Sequence, residues 1–299
     1  MEIKLPRRFN RNTMYGFLEE VISADKKPVS NIITLDFNSL DKFIEPSGVT
    51  VLSNLIYWLI NNGTRVTIKP PEDLSDQRHP GRFLDDSLFF EMHLGKTLRD
   101  NAFVRDTTLP LKHITTLGPS EWLDNTFIPW LSRTIGVIPI NLATVKICME
   151  EIFNNVSNHS DKDSGCIFAQ HIPRNDEVLI SISDFGVGIP YNVQEILPSL
   201  NDSESILKAT ERGFTTQSTP RNRGAGLDNL IHNIVLNGSG SVHIHSLSGI
   251  VNCSKGNNGI NYETQTPYGY YPGTLIDMVF KTDADLFDDE EEDFSWEDW

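Results

Sequence analysis

The chain has 299 residues, of which 38% are hydrophobic, and a formal net charge of −16. These values predict a globular protein of about two domains, and the acidic charge argues against nucleic-acid binding as the main activity. No apolar run reaches the roughly 18 residues of a membrane span, and the first residues lack the apolar core of a signal peptide, so we expect a cytoplasmic protein. Cys148, Cys166 and Cys253 are widely spaced, which predicts free thiols.

A strand–helix–strand unit is predicted near the N-terminus, after a polar lead-in (1–27) with one short helix. Residues 30–40 are apolar and β-branched and predict a strand, 49–63 predict a helix, and 64–71 predict a second strand. Such a unit is expected to have a right-handed crossover. Its loop, residues 43–49, lies where STAS-like domains of bacterial anti-anti-sigma factors carry an Asp-Ser-Ser-Gly sequence, and the unit resembles that family.

The resemblance to STAS-like domains departs at the phosphorylation site. The place of the family's acceptor serine is taken by Pro46, the aspartate becomes Glu45, and Ser47 matches the second serine. Pro46 has no hydroxyl and stiffens the loop. We therefore expect a docking or dimerising layer rather than a phosphorylated switch. Residues 106–141, which are rich in proline, predict a connector with one packing helix.

A polar column on a predicted helix opens the C-terminal half. Residues 142–156 place apolar side chains at three- and four-residue steps, while Glu151, Asn155 and His159 stack on another face. An amide oxygen from Asn155 and phosphate oxygens can hold Mg²⁺, and Glu151 can deprotonate a water or hydroxyl. A solvated polar column would explain the same spacing.

An acid replaces an apolar residue where the next strand ends. Asp184 continues the apolar side of the strand at residues 178–182. Its carboxylate can accept from the amino group of adenine, and Gly186 and Gly188 let a flat base approach the backbone. An ordinary strand-to-loop turn would also carry these residues.

A glycine pair before a third helix offers backbone N–H groups to phosphate, at residues 224–227. Upstream, residues 191–223 are polar and interrupted by prolines, which is typical of lids beside sites. Four cations of this segment can neutralise phosphate charge or form a solvated basic loop: Lys208, Arg212, Arg221 and Arg223.

In this order the three pieces resemble the nucleotide-binding domain of the GHKL superfamily, which groups gyrase, heat-shock chaperone, histidine kinase and mismatch-repair ATPases. Residues 151–155 match the N box, 184–189 the G1 box and 224–227 the G2 box. Residues 212–216 are similar to the segment that precedes the G2 box in sensor kinases of the citrate and dicarboxylate type. The likeness covers about residues 142–280, including two closing strands.

The resemblance implies ATP and Mg²⁺ as cofactors, Glu151 as the catalytic base and Asn155 as the metal ligand. Thr274 matches the threonine that helps the aspartate to hold adenine. The residues assigned to the nucleotide are Asn155, Asp184, Gly186, Gly188, Ile189, Lys208, Arg212, Thr215, Thr216, Arg223, Gly224, Gly226, Leu227 and Thr274.

The predicted fold class is α/β, as an α+β sandwich. A STAS-like domain is expected over residues 28–118. A GHKL (Bergerat) ATP-binding domain with its connector helix follows over 119–282, with helices on one face of a mixed sheet. Within it, residues 252–269 interrupt the closing strands as a tolerated insertion or a partner-binding loop. His243 and His245 share a strand face, but no acids or cysteines lie near them in sequence, so no metal site is expected there.

The last segment, 283–299, is an acidic tail with ten acids and no base. Such a run is typical of a disordered solvating tail. Phe287, Phe294, Trp296 and Trp299 are interleaved with the acids, and apolar anchors of this kind can dock on a basic groove of a partner or of the same protein.

Three functions stay open: phosphoryl transfer to a protein hydroxyl, as in anti-sigma kinases; slow ATP hydrolysis; and nucleotide-gated protein binding with little chemistry. The sequence has no HExRTP-like phosphoacceptor helix upstream, which argues against a histidine autokinase. We expect a magnesium-dependent ATP-binding regulator whose partner is another protein, reached through the N-terminal domain or the acidic tail. Membrane and direct nucleic-acid binding are not expected, and homodimerisation stays open.

Overall fold

The computed structural model of the protein describes residues 1–114, 119–159, 165–214, 226–265 and 269–282, with the backbone alone at 119, 155 and 157–159. The elements of its N-terminal part are β1 (Glu2–Lys4), β2 (Arg8–Phe9), α1 (Met14–Val21), β3 (Ile32–Asp36), β4 (Phe43–Ile44), α2 (Pro46–Asn61), β5 (Arg65–Lys69), α3 (Pro80–Asp86) and α4 (Phe89–Leu94).

The predicted strand–helix–strand unit is confirmed as β3, α2 and β5. Strands β1, β3 and β5 form a parallel sheet in the order β1-β3-β5, and β2 pairs in parallel with β4. Helix α2 begins at Pro46 rather than at the predicted residue 49. Proline suits this place because its ring presets the helical φ and the first turn needs no N–H donor.

The C-terminal part alternates helices with the strands of a second, larger sheet. Its elements are β6 (Thr108–Ile114), α5 (Pro119–Trp122), α6 (Ile128–Ile135), α7 (Ala143–His159), β7 (Gly165–Ile172), β8 (Glu177–Asp184), α8 (Ile189–Ile196), α9 (Asp202–Ala209), α10 (Gly226–His232), β9 (Ser241–Leu247), β10 (Gly249–Gly256), β11 (Gly259–Gln265) and β12 (Tyr271–Lys281). The chain is therefore a mixed helix and sheet protein, as predicted.

The larger sheet has seven strands in the order β11-β10-β9-β12-β8-β7-β6. Every strand pair formed by the described residues of this sheet is antiparallel, so the predicted mixed sheet is wrong. The antiparallel pattern arises because β12, the last strand in the chain, lies between β8 and β9 and runs antiparallel to both. Strands β8 and β9 run parallel to each other but never pair.

Strand β6 forms the outer edge of this sheet, although its residues fall within the predicted N-terminal domain (28–118). It pairs with β7, and the register shifts between Leu109 and Lys112, around Pro110. Proline has no N–H to donate to a neighbouring strand and is confined to edge strands and bulges. Because of Pro110, this strand was not predicted from the sequence. The helix predicted in the connector (106–141) is present as α5 and α6.

Both faces of the central strands of the seven-stranded sheet are buried, each by a different part of the chain. Helices α6, α7 and α10 cover one face, where Ile180 and its neighbours form an apolar core. Helix α2 covers the other, where Thr50 Oγ1 lies 3.0 Å from Ser181 Oγ and the Asn54 amide donates to Ser183 Oγ. Because side chains alternate along β8, its even-numbered residues, Asp184 included, face the α7 side.

Strands β10 and β11 form a hairpin that extends the sheet beyond β9. Most of the predicted insertion at 252–269 lies in these two strands, so it lengthens the sheet instead of looping out of it. Residues 266–268 lie outside the described part of the chain.

Candidate functional site

A buried carboxylate marks the α7 side of the sheet at the end of β8. The Asp184 side chain is 6% exposed, and its Oδ1 accepts from the backbone N–H of Gly186 at 2.7 Å. Burial raises the pKa of Asp184 to about 7, while hydrogen bonds from the backbone N–H groups of Gly186 and Thr274 act in the opposite direction. Near neutral pH the Asp184 carboxyl group is therefore divided between two states: the ionised form, which only accepts hydrogen bonds, and the protonated form, which also donates one.

Asp184 lies in a cleft that is otherwise largely apolar. The cleft is lined by Ile152, Val156, Ile182, Asp184, Gly188, Ile189, Asn192, Leu227, Thr274 and Ile276. Strand β8 therefore provides the floor, and α7, α8, α10 and β12 provide the walls. A flat apolar group with one hydrogen-bond donor fits such a lining.

The turn after β8 is held close to the neighbouring strands. Gly188 has φ +84°, and a Cβ there would lie 2.8 Å from Ser246 Oγ. The Ser246 hydroxyl accepts from the N–H of Ile189 at 2.9 Å and donates to the carbonyl of Gly273 at 2.7 Å. It also lies 3.1 Å from Thr274 Oγ1. A side chain at Gly188 would push this turn away from β9 and β12 and change the shape of the cleft.

Gly273 and Ser246 were not predicted as site residues. Gly273 has φ +91°, and a Cβ there would collide with the backbone of Asp184 and lie 2.6 Å from the nitrogen of Gly186. It therefore has to be glycine for β12 to pair with the end of β8. A proline–glycine pair at 272–273, near the start of β12 where its register shifts, was the available signal. Ser246 gave none, because serine is common at strand ends.

The predicted catalytic residue Glu151 lies on α7 at the start of α10. A Cβ at Gly226, the first residue of α10, would collide with the Glu151 carboxylate and lie 2.7 Å from its Cβ. The fold thus brings the first and third predicted motifs into contact, beside the cleft residue Leu227. Asn155 is one turn further along α7, and its side chain lies outside the described part of the structure.

Two predicted phosphate ligands, Lys208 and Arg212, are described residues outside the cleft lining. Lys208 on α9 forms an ion pair with Glu211 at 2.5 Å and lies 5.4 Å from the ring of Phe214. Arg212 is exposed, and neither cation lines the cleft. The remaining predicted contacts lie outside the described residues: Thr215, Thr216, Arg221, Arg223 and Gly224.

The segment predicted as a lid is partly helical. Residues 191–214 include most of α8 and all of α9, and α9 starts with a reciprocal pair of hydrogen bonds between Asn201 and Glu204. This capping box stabilises the first turn of α9. An irregular lid is therefore wrong for these residues, and residues 215–225 lie outside the described chain.

Each of the two histidines of β9 has a neutral hydrogen-bond partner. His245 Nδ1 lies 2.6 Å from the hydroxyl of Tyr15, and His243 Nδ1 lies 2.7 Å from Asn252 Oδ1. Burial lowers the pKa of His243 to about 4 and of His245 to about 3. In the part of the chain that the structure describes, no group of three or more His, Cys, Asp or Glu side chains could hold a metal ion.

Comparisons with known proteins do not assign the chain to a family. No model of a protein family matches it, and no curated protein matches its sequence. Among the described helices, none has the length and apolarity needed to cross a membrane.

Proposed function

We propose that the protein is a magnesium-dependent ATP-binding regulator of the GHKL type that hydrolyses ATP or transfers its γ-phosphoryl group to a partner protein. One observation carries the proposal: a buried carboxylate, Asp184, is the main polar group in an apolar cleft between α7, α10 and the sheet. The N-terminal layer, which we propose to be STAS-like, and the acidic tail are the candidate contacts with that partner.

The lining of the cleft suits adenine. The apolar side chains Ile152 and Leu227 can contact the faces of the base, and the Asp184 carboxylate can accept from its exocyclic amino group. Guanine carries a carbonyl oxygen at the corresponding position. This oxygen and the Asp184 carboxylate are both acceptors, so they would repel each other. A hydrogen bond to a charged group contributes about 1.5–3 kcal/mol, or roughly a 10- to 100-fold difference in affinity.

Residues of α7 would carry out the hydrolysis or phosphoryl transfer. ATP with Mg²⁺ supplies the transferable phosphoryl group, and Asn155 is the proposed metal ligand. The Glu151 carboxylate, which packs against Gly226 at the start of α10, would take the proton of the attacking water or hydroxyl. Its position beside the cleft, rather than inside it, fits a base that acts at the phosphate end of the nucleotide.

A binding module with little chemistry is the second candidate. The observation that favours it is the position of Lys208 and Arg212, since these cations do not line the cleft and one is paired with Glu211. Without cations, charge that develops on a transferring phosphoryl group has less stabilisation.

The test compares Asp184→Asn with Asp277→Asn. Asp277 is also a buried acid, with a pKa raised to about 6 by burial, but it belongs to the opposite face of the sheet and lies 3.8 Å from Arg11. We expect Asp184→Asn to weaken ATP binding selectively, and Asp277→Asn to leave it unchanged. Equal loss of ATP and GTP binding in the first variant, or loss of ATP binding in both, would contradict the adenine role.

Labelled phosphate separates the remaining functions. Incubation with γ-labelled ATP, with and without cell extract, yields free phosphate from a hydrolase and labelled protein from a kinase. Neither product, together with ATP binding, identifies the binding module.

A further inference from the structure

A groove with two cations in its lining is present on the face of the sheet opposite the Asp184 cleft. It lies where β4, α3 and the end of β7 meet. Its apolar lining includes Phe43, Pro46, Phe83 and Ile172, and Phe43 is 46% exposed. An exposed aromatic ring at the mouth of an apolar groove is a feature of surfaces that bind another chain segment.

Two cations of this groove, Lys42 and Arg78, have no ion-pair partner among the described residues. Of the neighbouring acids, Asp41 pairs with Arg7 at 2.8 Å and also attracts Lys42 at longer range. Asp76 Oδ1 accepts from the backbone N–H of Arg78 at 2.9 Å. On a chain of net charge −16, a site with two available cations is where an acidic segment is attracted.

The C-terminal segment starts at the same end of the sheet. Lys281 ends β12 opposite Glu177 of β8, and Glu177 in turn lies opposite Ile172 of β7. Lys281 is thus two strand spacings, about 10 Å, from the groove. The N–H of Thr282 donates to the carbonyl of Asp176 at 2.9 Å, which fixes the point of exit.

We propose that residues 283–299 of the same chain bind in this groove, with aromatic side chains in its apolar part and carboxylates facing Lys42 and Arg78. The segment has ten acids, no base and four aromatic residues: Phe287, Phe294, Trp296 and Trp299. At about 3.3 Å per residue, Phe287 reaches roughly 17 Å from Thr282, and the later aromatics reach further. Aromatic anchors within an acidic strand match the mixed lining of the groove.

Two other clefts formed by the described residues are poorer acceptors for an acidic segment. The cleft beneath α7 has the buried carboxylate of Asp184 at its floor. A polar cleft beside Arg11 is lined by Glu45 and Glu263 as well. In both clefts the acids of the bound segment would be repelled by acids of the lining, whereas the groove with Lys42 and Arg78 has no acid in its lining.

The test is fluorine NMR of the full chain with 5-fluorotryptophan in place of all tryptophans. The variants Trp296→Phe and Trp299→Phe assign the NMR signals of the two tail tryptophans. The three native cysteines are buried, so one introduced cysteine takes a nitroxide label selectively. Gln77→Cys places the label beside Arg78. Asn62→Cys, also exposed, is the matched control at the far end of α2, about 24 Å from Pro46.

We expect the label at residue 77 to broaden the tail signals strongly, and the label at residue 62 to leave them sharp. The double variant Lys42→Glu with Arg78→Glu should lose the broadening, while Lys4→Glu with Arg65→Glu, which reverses two exposed charges elsewhere, should keep it. The signals of Trp58, Trp122 and Trp130 report whether each variant is folded. Amides in place of the acids at 288–293 change no described residue and should also lose the broadening.

Three results would overturn the proposal. Sharp tail signals with the label at residue 77, or equal broadening from both labels, would show that the tail does not bind in the groove. Broadening that survives both charge variants would remove the role of Lys42 and Arg78. Broadening in a mixture of separately labelled and fluorinated chains would place the tail of one copy on another.

Discussion

The backbone N–H of Gly186 lies 2.7 Å from Asp184 Oδ1 and stabilises the ionised form of a carboxyl group whose pKa burial raises to about 7. Only that ionised form accepts a hydrogen bond from an adenine amino group without donating in return. In the proposed nucleotide site, the protonation of Asp184 would therefore couple adenine binding to pH within the neutral range.

Adenosine affinity is predicted to fall as pH drops through 7, by up to about tenfold for each further pH unit, because a proton competes for the acceptor. Adenosine is the appropriate probe because it has no phosphates that titrate in this range. Calorimetric titration between pH 5.5 and pH 8.5 (roughly the range in which Asp184 titrates) measures the profile. Asp184→Asn should bind more weakly and with a flat profile, and a flat profile in the unsubstituted chain would contradict the coupling.

The same carboxyl group is predicted to make the folded chain less stable as pH rises. In the unfolded chain an aspartate loses its proton near 3.8, and in the fold Asp184 keeps it up to about pH 7. Between these values the native state binds more protons, so its stability decreases as pH rises through the window. Asp184→Asn has no such proton, and its free energy of unfolding relative to the unsubstituted chain should grow between pH 4 and pH 7.

Denaturant unfolding at several pH values measures this difference, at ~1.4 kcal/mol for each tenfold change in proton affinity. The other buried acid, Asp277, is present in both chains, so its own pH dependence cancels. A difference between the two chains that stays constant from pH 4 to pH 7 would show that Asp184 does not titrate in the fold as described.

Local patterns in the sequence were sufficient to predict the floor of the cleft. The period of two placed Asp184 on the apolar side of β8, and the turn glycine Gly188 lies four residues further on. Ser246 and Gly273 escaped prediction because their contacts depend on β9 and β12 pairing with distant strands. The hydrogen-bond partner of a serine on a strand depends on which strands pair, so it cannot be predicted from the local sequence.

The placement of α2 between two sheets could not be predicted either. Thr50 and Asn54 are polar residues on an otherwise apolar helix, a pattern that indicates a solvent-facing stripe. In the structure both are fully buried and bond to serines of β8. Likewise, β6 was missed because Pro110 in an edge strand has the composition of a loop.

Glu151→Ala is predicted to keep ATP binding and to lose turnover. Loss of a positioned general base costs roughly 10²–10⁴ in rate, and the cleft lining does not include this side chain. Glu150→Ala is the matched control, since Glu150 is the adjacent acid on α7 and lies 3.8 Å from Lys146. Single-turnover assays with each variant separate binding from chemistry, and unchanged turnover in Glu151→Ala would remove it as the base.

Arg99→Met is predicted to destabilise the N-terminal part strongly. Arg99 Nε lies 3.0 Å from Asp85, which is fully buried, and its guanidinium also pairs with Asp86. Removing one partner from a buried ion pair costs about 3–5 kcal/mol. Arg7→Met, which breaks the exposed pair with Asp41, should cost far less, because solvent screens an exposed ion pair. Equal losses in chemical denaturation would contradict the role of burial.

Ser47 is predicted to stay unphosphorylated when the purified chain is incubated with ATP and Mg²⁺. It matches the second serine of the loop that we propose to be STAS-like, but in the structure it lies in the first turn of α2 and is only 4% exposed. Its carbonyl accepts from the Thr50 hydroxyl at 3.0 Å. A kinase would have to unwind this turn, which packs on the sheet through Thr50, before it could reach the Ser47 hydroxyl.

Peptide mass mapping after incubation measures this directly, with Ser75 as an exposed serine of the same part of the chain for comparison. Phosphate on Ser75 without phosphate on Ser47 would fit burial, and no phosphate on either would fit a kinase that acts on another protein. Stoichiometric phosphate on Ser47 would show that α2 opens at its first turn and that the chain modifies itself. In that case the N-terminal layer would be a switch for the nucleotide site on the opposite face of the sheet.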